Sequence, residues 1–282
     1  MSTTLVNVSE LQAHLFDTDW CVVDCRHELS NFEAGRQQYE FGHIPGAVFA
    51  HMEDELSGRK TGRNGRHPLP EREVLAARFR AWGIGNDTQV VAYDASGGAF
   101  ASRLWWLARW LGHRKVALLD GGWQAWLAAT ESTSKDAAER VPAPFEIRAS
   151  LAPTFDAEQV LEMLGRPEKL IVDARAAERY EGRVEPMDPV AGHIPGTVNR
   201  PWQDNLDQGL FKSRDALRRE FEALLGGRPP ADLTVLCGSG VTACHHLLAL
   251  EHAGLHGAAL YPGSWSEWVA DPARPVTTGA AP

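Results

Sequence analysis

Short apolar runs alternate along the chain with segments whose apolar residues have helical spacing. The runs predict strands at 21–25, 89–93, 116–119, 170–172 and 233–236. The helically spaced segments predict helices at 70–82, 101–111, 157–164, 213–225 and from 241 onward. This alternation indicates an α/β fold with mostly parallel sheets and helices on both faces. In such folds, ligands bind beyond the carboxyl ends of the strands.

The second half of the chain repeats the first in four segments that keep their order and nearly constant spacing. The pairs are VVDCR (22–26) with IVDAR (171–175), GHIPGAV (42–48) with GHIPGTV (192–198), VVAYDASG (90–97) with TVLCGSG (234–240), and GGWQAW (121–126) with GSWSEW (263–268). Solenoid repeats are about 20 to 50 residues long, so this longer period indicates duplicated domains. We therefore expect two tandem domains of one fold.

A polar segment separates the two predicted domains. It carries the turn-forming Pro142 and Pro144 and shows no helical periodicity. We place the first domain at 1–135, the linker at 136–153 and the second domain at 154–282.

One cysteine stands where the second domain is expected to hold a reactive group. The strand at 233–236 leads to Cys237, a tight turn with Gly238 and Gly240 follows, and a helix begins. Unsatisfied amides in the first turn of a helix, together with the helix dipole, stabilise a thiolate. The alternative is a small buried apolar residue at a strand end. The first half has Asp94 at the equivalent position, so we expect only the second half to carry the nucleophile.

Composition and charge exclude several classes of partner. The chain has 282 residues and a formal net charge of -9, so no basic field favours nucleic acid. No apolar run approaches the roughly 20 residues that span a bilayer, so we predict no membrane insertion. The N-terminal sequence lacks the basic and apolar regions of a signal peptide, which favours a cytoplasmic location.

The spacing of the four cysteines indicates neither a disulfide framework nor a metal site. Cys21 and Cys25 lie four positions apart on one predicted strand, about 13 Å, which is too far for a disulfide. Cys244 falls on the helix after Cys237 and is expected in the core. Because no cysteine or histidine pair has zinc-binding spacing, we predict no metal and no cofactor.

Several motifs are specific enough to indicate a family. They are GHIPG in both halves, YDASGG and RLWW in the first, and CGSGVTA and GSWSEW in the second. Through these motifs the chain resembles, over nearly its full length, the two-domain rhodanese-like sulfurtransferases, and in particular their 3-mercaptopyruvate group. The resemblance implies two tandem rhodanese-like domains, of which the N-terminal one is inactive because Asp94 replaces the cysteine.

The resemblance implies a two-step sulfur transfer through Cys237. A small anionic donor gives a sulfane sulfur to the thiolate, and a thiol, cyanide or a thioredoxin-like protein then removes it from the persulfide. Backbone amides of the loop would bind the persulfide anion, and the residues concerned are Gly238, Gly240, Val241 and Thr242. Gly238 and Ser239 stand where thiosulfate-preferring members have Arg and Lys. This difference favours 3-mercaptopyruvate as the donor, with thiosulfate as the alternative.

Further site residues follow from the same resemblance. Arg179 matches a family arginine suited to the donor carboxylate. A second family arginine is absent from its usual position, and Arg183 is expected to substitute for it. His67 matches the histidine of a proton relay with Ser239, and Glu53 matches the carboxylate that assists it. We therefore expect the site between the two domains.

Two other functional classes were weighed against sulfur transfer. A cysteine phosphatase on a rhodanese-type scaffold needs an arginine six positions after Cys237, where this chain has Ala243. A non-enzymatic binding module has no working cysteine, whereas the CGSGVTA loop and His67 are both intact. A persulfide-forming sulfurtransferase is therefore the main hypothesis.

Other conspicuous charged residues are expected to be structural or solvated. Arg26 and Arg175 recur in both halves and are predicted to form structural salt bridges. The basic run at 59–66 is predicted to be mostly solvated, with steering of anionic donors towards His67 as the alternative.

Overall fold

The computed structural model describes residues 3–130 and 132–280, which form two compact units. Unit 1 consists of the chain up to Gly58, together with Pro70–Leu151 and Gln208–Phe211. Unit 2 consists of Arg59–Leu69, Ala152–Asp207 and the chain from Lys212 onward. Each unit is thus assembled from more than one stretch of sequence.

In the described part of unit 1, five strands form a parallel sheet. They are β1 (Leu5–Val6), β2 (Trp20–Asp24), β3 (Val48–Phe49), β4 (Gln89–Tyr93) and β5 (Val116–Leu119). Their order across the sheet is β1-β5-β4-β2-β3, and Val22 of β2 pairs with Val91 of β4. Every residue of β2, β4 and β5 is buried, as expected for apolar runs in a sheet covered on both faces.

Helices cover both faces of the unit 1 sheet. They are α1 (Val8–Ala13), α2 (Ala34–Phe41), α3 (Arg72–Ala81), α4 (Ala101–Trp110) and α5 (Gly122–Thr130). Leu11 of α1 and Trp126 of α5 belong to one core cluster with Val22 and Val91. Val23 alternates with Val22 along β2 and is fully buried, so the opposite face is covered as well.

Unit 2 has a parallel sheet with the corresponding strand order. After α6 (Ala157–Met163) its strands are β6 (Leu170–Asp173), β7 (Val198–Asn199), β10 (Leu233–Leu236) and β11 (Ala259–Leu260), in the order β11-β10-β6-β7. Thr154 forms a parallel bridge with Leu260, in the place that β1 takes beside β5. Two further short strands, β8 (Leu206–Asp207) and β9 (Leu210–Phe211), follow β7 in the chain, and β9 belongs to unit 1.

The helices of unit 2 repeat the pattern of unit 1. After α6 come α7 (Ala177–Tyr180), α8 (Arg214–Leu225), α9 (Ala243–His252) and α10 (Ser264–Trp268), with short 3-10 helices at Trp202–Asn205 and Pro230–Asp232. Val160 of α6 and Trp265 of α10 pack with Ile171 and Leu236 in one cluster, as α1 and α5 pack on the unit 1 sheet.

The predicted fold class, two α/β domains with mostly parallel sheets, is confirmed. The five predicted strands and the predicted helices are all present, although α9 begins at Ala243 rather than at Val241. The sequence did not predict five of the α-helices described, namely α1, α2, α5, α7 and α10. In residues 3–130 and 132–280, no helix has the length and apolar character needed to cross a membrane.

The two units are not divided by a single cut in the chain. The segment 136–151, expected to be part of a linker, packs on unit 1: the Arg148 N–H donates to the Leu111 carbonyl (2.9 Å) and the Leu151 N–H to the Arg109 carbonyl (3.0 Å). Residues Arg59–Leu69, expected in the first domain, belong to unit 2. These extended segments have no periodic pattern, so the sequence did not reveal which unit they join.

Candidate functional site

Cys237 follows β10 directly, at the carboxyl end of a central strand of unit 2. Its neighbour in the sheet is β6, with Leu236 opposite Asp173. The cysteine is 1% exposed. The loop that follows it and the first turn of α9 therefore control access to the thiol.

The start of this loop is fastened to α10 by three hydrogen bonds. The Cys237 N–H donates to Oγ of Ser264 (3.1 Å), and the Cys237 carbonyl accepts from the N–H of Trp265 (3.0 Å). The Gly238 carbonyl accepts from the N–H of Ser266 (2.9 Å). The backbone around the nucleophile is thus fixed by a neighbouring element.

Gly240 allows the loop to turn tightly before α9. Its φ is +75°, and a Cβ at this position would lie 2.2 Å from the Pro262 carbonyl oxygen. Beyond it, Val241 is buried and Thr242 is partly exposed. Sγ of Cys244, in the first turn of α9, donates to the Gly240 carbonyl at 3.3 Å. Cys244 is thus a buried residue beneath the loop, as predicted.

The equivalent loop of unit 1 holds the Asp94 carboxylate in a cradle of backbone amides. Oδ1 accepts from the N–H groups of Ser96 (2.7 Å) and Gly98 (2.9 Å). Oδ2 accepts from those of Phe100 and Ala101, both at 2.8 Å. The carboxylate therefore occupies the loop as a fixed anion.

His67 and Ser239 meet in unit 2. Nδ1 of His67 lies 2.7 Å from Oγ of Ser239, and both side chains are buried. Although His67 precedes most of unit 1 in the sequence, its segment Arg59–Leu69 belongs to unit 2. The structure therefore brings His67 to Ser239, the residue two positions after Cys237. Glu53, by contrast, is a partly buried turn residue of unit 1, and its expected role stays a prediction.

Arg179 is held beside the loop by two carboxylates. Its Nη2 donates to Oε1 of Glu185 (2.7 Å) and approaches Oδ2 of Asp188 (3.5 Å). A Cβ at Gly238 would lie 3.4 Å from Nη1 of Arg179, so the guanidinium lies against the residue that follows Cys237. Its role as a donor-binding residue stays a prediction.

Glu185 links Arg179 to a second, fully buried arginine. Burial raises the pKa of the Glu185 carboxyl, but hydrogen bonds from Arg179 and from the N–H of Met187 outweigh it, and the pKa falls below its ordinary value. Arg175 bonds both Asp173 and Glu185, which makes it the structural salt bridge that was predicted. Burial lowers the Arg175 pKa, yet these carboxylates and the charge of Cys237 together raise it.

Arg183 does not share this environment. Its side chain is 63% exposed, and its Nε pairs with Glu181 at 2.5 Å. The expectation that Arg183 substitutes for the absent family arginine has no support in this geometry, because its guanidinium is held by a neighbour at the surface.

Sequence reasoning missed Arg66. The basic run 59–66 was expected to be mostly solvated, but its last residue is only 25% exposed in the side chain and pairs with Asp188. A Cβ at Gly238 would lie 2.9 Å from its Nη2. The one available signal was its position next to His67, which the family resemblance had already assigned to the site.

Comparison with known proteins agrees with the repeated fold. A family model of the rhodanese-like domain matches residues 7–129 and again 156–271. A probable 3-mercaptopyruvate sulfurtransferase from Pseudomonas aeruginosa is 47% identical over 281 residues, 99% of this chain and 99% of its own. A putative thiosulfate sulfurtransferase from Mycobacterium tuberculosis is 40% identical over 273 residues, 92% of this chain and 91% of its own.

A solved structure also matches this chain over most of its length. The 3-mercaptopyruvate sulfurtransferase from Leishmania major superposes with a TM-score of 0.81 and 29% identity, over 94% of this chain and 74% of that chain. The family model covers both repeats, and the relatives extend along almost the whole sequence. The chain therefore belongs to the two-domain rhodanese-like sulfurtransferases.

Proposed function

We propose that this protein is a 3-mercaptopyruvate sulfurtransferase that carries the transferred sulfur as a persulfide on Cys237. The observation that carries the proposal is the position of Cys237, which directly follows β10 and opens the loop of unit 2 that corresponds to the Asp94 loop of unit 1. His67 and Ser239, in contact at 2.7 Å, supply a proton relay at the same loop.

The terminal sulfur of a cysteine persulfide is as many bonds from Cα as a carboxylate oxygen of aspartate. In unit 1, four backbone N–H groups donate to the two carboxylate oxygens of Asp94 at 2.7–2.9 Å. Cys237 opens the corresponding loop of unit 2, between a central strand and a helix start. Amides of residues 238–243 would therefore bind the terminal sulfur anion and stabilise the persulfide.

Sulfur transfer from the donor breaks one C–S bond and forms one S–S bond. The Cys237 thiolate attacks the thiol sulfur of 3-mercaptopyruvate, and the electron pair of the C–S bond leaves as the enolate of pyruvate. The proton of the donor thiol passes to the enolate carbon, which gives pyruvate and leaves the persulfide as an anion. Ser239 Oγ, backed by His67 Nδ1, is placed to move that proton.

The charges around the loop favour a donor with a single negative charge. Three arginines face three carboxylates in one chain of contacts: Arg66, Arg175 and Arg179 with Asp173, Glu185 and Asp188. Their formal charges cancel, so no excess positive charge is available for a dianion next to the Cys237 thiolate. A keto acid with one carboxylate is accommodated more easily.

The proposal also covers the sulfur acceptor and the cellular compartment. In the second step a thiol, cyanide or a thioredoxin-like protein attacks the terminal sulfur, and Cys237 is released as the thiolate. All four cysteines are free and buried. This suits a reducing compartment, and we include a cytoplasmic location in the proposal.

The decisive experiment is intact-mass analysis after treatment with 3-mercaptopyruvate and removal of excess donor. We expect the wild-type chain to gain one sulfur atom, about 32 Da, and to transfer it to cyanide. Cys237→Ser should gain none and should lose turnover by at least about 10³-fold. Cys244→Ala is the matched control, since it removes the other cysteine of the same unit, and it should still gain one sulfur. Sulfur uptake by Cys237→Ser would contradict the mechanism.

Thiosulfate is the second candidate donor, because the relative from Mycobacterium tuberculosis, which is 40% identical to this chain, is named for it. The ratio of kcat/KM for the two donors with cyanide as acceptor separates the candidates. We expect the ratio to favour 3-mercaptopyruvate; a preference for thiosulfate would change the donor and leave the Cys237 persulfide in place.

A further inference from the structure

We propose that unit 1 contains a second ligand site, a groove that binds a small monocarboxylic acid with an apolar body. The groove has a volume of about 670 Å³ and is lined by residues of the loop after β2 and of helices α2 and α5. Its described lining residues all belong to unit 1, so this inference does not depend on the function proposed for Cys237.

The groove lies at the carboxyl end of an interior strand of unit 1. Arg26, in its wall, follows two positions after β2 ends, and β2 lies between β4 and β3 in the sheet. Trp123, in the first turn of α5, also lines the groove, and its N–H donates to the Asp94 carbonyl, directly after β4, at 2.8 Å. Ligands of parallel α/β sheets bind at this edge.

Two nitrogens of Arg26 fix its guanidinium in the wall of the groove. Nε donates to Oδ1 and Oδ2 of Asp24 (3.1 and 2.9 Å). Nη2 donates to Oδ2 of Asp24 (2.6 Å) and to the Gly42 carbonyl (2.7 Å). The guanidinium carbon lies 4.4 Å from the centroid of the Trp123 ring. Because the residue is only 4% exposed, the protein itself sets its orientation.

The third nitrogen, Nη1 of Arg26, is available to a ligand. Within residues 3–130 and 132–280, Nε and Nη2 of this side chain have acceptors and Nη1 has none. Charged donors in buried side chains are hydrogen-bonded as a rule. Since Arg26 lines the groove, an acceptor can reach Nη1 from there.

The equivalent arginine of unit 2 indicates which group Nη1 would bind. Arg175 repeats the contacts of Arg26, from the aspartate two positions before it to the tryptophan ring against it. Its Nη1, however, donates to Oε2 of Glu185 at 3.3 Å. In unit 2 a carboxylate of the chain therefore fills the place that is open to the groove in unit 1. We infer that the ligand of unit 1 supplies a carboxylate of its own.

The other walls of the groove favour an apolar body behind this carboxylate. Phe41, the last residue of α2, is 80% exposed, Leu127 of α5 is exposed as well, and Trp123 is partly buried. Single exposed apolar residues are ordinary, but several around one concave site are typical of a ligand pocket. Pockets for small organic ligands have volumes of about 300–1,000 Å³, so the groove is larger than a three-carbon acid requires.

The charges of the groove limit the ligand to one negative charge. Asp24 already balances the charge of Arg26, so Nη1 contributes a charge-assisted hydrogen bond and no excess positive charge. Glu28 also lines the groove, and its Oε1 accepts from Nε2 of Gln38 at 2.8 Å. Glu28 would repel a second carboxylate on the ligand. The ligand class is therefore an aryl- or alkyl-substituted monocarboxylate.

The test uses 3-phenylpropionate as the probe and calorimetry on the full chain. We expect the wild type to bind it with a Kd below about 1 mM. Two matched compounds divide the interaction: 3-phenylpropionamide lacks the charge, and propionate lacks the apolar body. Each should bind at least about 10-fold more weakly. Absence of 3-phenylpropionate binding, or equal affinity for either matched compound, would overturn the proposal.

Variants then locate the bound probe. Phe41→Ser should raise its Kd at least about fivefold, whereas Phe16→Ser should match the wild type, because Phe16 is equally exposed (82%) and does not line the groove. Arg26→Lys keeps the charge opposite Asp24 but removes Nη1, and it should raise the Kd at least about 10-fold. If Arg26→Lys does not fold, as judged by circular dichroism, the two phenylalanine variants still decide.

A Kd that is the same in Phe41→Ser and Phe16→Ser would place the probe elsewhere and overturn the proposal. Sulfur loading of Cys237 by 3-mercaptopyruvate is measured separately in the same variants, and we expect Phe41→Ser to load like the wild type. Failure of the wild type to load would refute the proposed function and leave the groove untouched.

Discussion

Ser264 adopts a backbone conformation that residues with a side chain rarely take. Its φ is 55°, and the corresponding residue of unit 1 is Gly122, with φ of 54°. In exchange, Ser264 Oγ accepts the N–H of Cys237 (3.1 Å) and donates to the Tyr261 carbonyl (2.9 Å). Strained residues of this kind cluster at functional sites. Here the strained conformation places the Ser264 hydroxyl where it accepts the N–H of Cys237.

Substitution of Ser264 should separate the strain from the hydrogen bond. Ser264→Ala keeps the strain and leaves the buried Cys237 amide unpaired, and we expect a loss of about 1–3 kcal/mol in the free energy of unfolding. Ser264→Gly loses the same bond but removes a strain of about 1–2 kcal/mol, so it should be the more stable variant. Urea unfolding of both variants gives the order. An alanine variant as stable as the glycine variant would contradict this account.

At the scale of the element, the Asp94 loop of unit 1 is a strand-to-helix turn held by one side chain. Its four amide donors would be unsatisfied without the carboxylate. The aspartate therefore stands at the position equivalent to Cys237 and stabilises its own loop. The loop conformation of unit 1 depends on this one carboxylate.

Asp94→Asn should therefore destabilise unit 1. An amide offers one acceptor oxygen in place of two, so two buried N–H groups lose their partners, at a cost of about 2–4 kcal/mol. The control is Asp87→Asn, whose carboxylate is 92% exposed and pairs with Lys115, so its effect should be below about 0.5 kcal/mol. Denaturant unfolding followed by tryptophan fluorescence measures both. Equal stability of the Asp94 and Asp87 variants would refute the role of the cradle.

Elements buried on both sides were the ones the sequence predicted well. β2 and β4 are continuous apolar runs because both faces of their sheet are covered. α10 has only five residues, too few for a helical period to be recognised. That α10 fixes the backbone of the Cys237 loop is visible only in the hydrogen bonds of the folded structure.

The part of the candidate site whose residues are adjacent in the sequence could be predicted. Cys237 and its glycines form one motif, whereas Arg66 joins the site through the folding of Arg59–Leu69 onto unit 2. Arg183 was closer in sequence to the expected position, but it is held at the surface by Glu181. Closeness in sequence therefore did not place the Arg183 guanidinium beside the Cys237 loop.

For the whole molecule, buried histidines set the response to mild acid. Burial lowers the pKa of His113, His193, His246 and His252 below the ordinary value of 6.5. For His246 the pKa shift is large because the ring is buried and the charged Arg200 guanidinium lies beside it; the hydrogen bond between Nε2 and the Arg200 carbonyl (2.6 Å) acts in the opposite direction but is outweighed. Nδ1 of His246 faces the Asn205 amide nitrogen at 2.8 Å. A proton on Nδ1 would meet another donor. The neutral ring is therefore strongly favoured in the folded state.

This predicts a loss of stability on acidification from pH 7 to pH 5. The unfolded chain takes up protons near pH 6.5 and the folded chain only at lower pH, so the stabilisation is complete above 6.5 and is lost as pH falls towards the folded-state pKa values. His246→Gln should reduce the slope of Tm against pH, while the exposed His256→Gln should not. A slope unchanged by His246→Gln would contradict the assignment. The lowered pKa of Glu185 acts in a separate window, below about pH 4.5.

Unit 2 includes the segment Arg59–Leu69 from the first repeat, and this limits how recombination can rearrange the gene. A fragment of residues 154–282 includes Cys237 and Ser239, yet His67, which contacts Ser239, is encoded before it, inside the other repeat. The two repeats therefore cannot be exchanged as independent domains, although they arose by duplication. Recombination between them would separate Cys237 and Ser239 from His67. Gene fusion and domain shuffling preserve the contact between His67 and Ser239 only if both repeats move together.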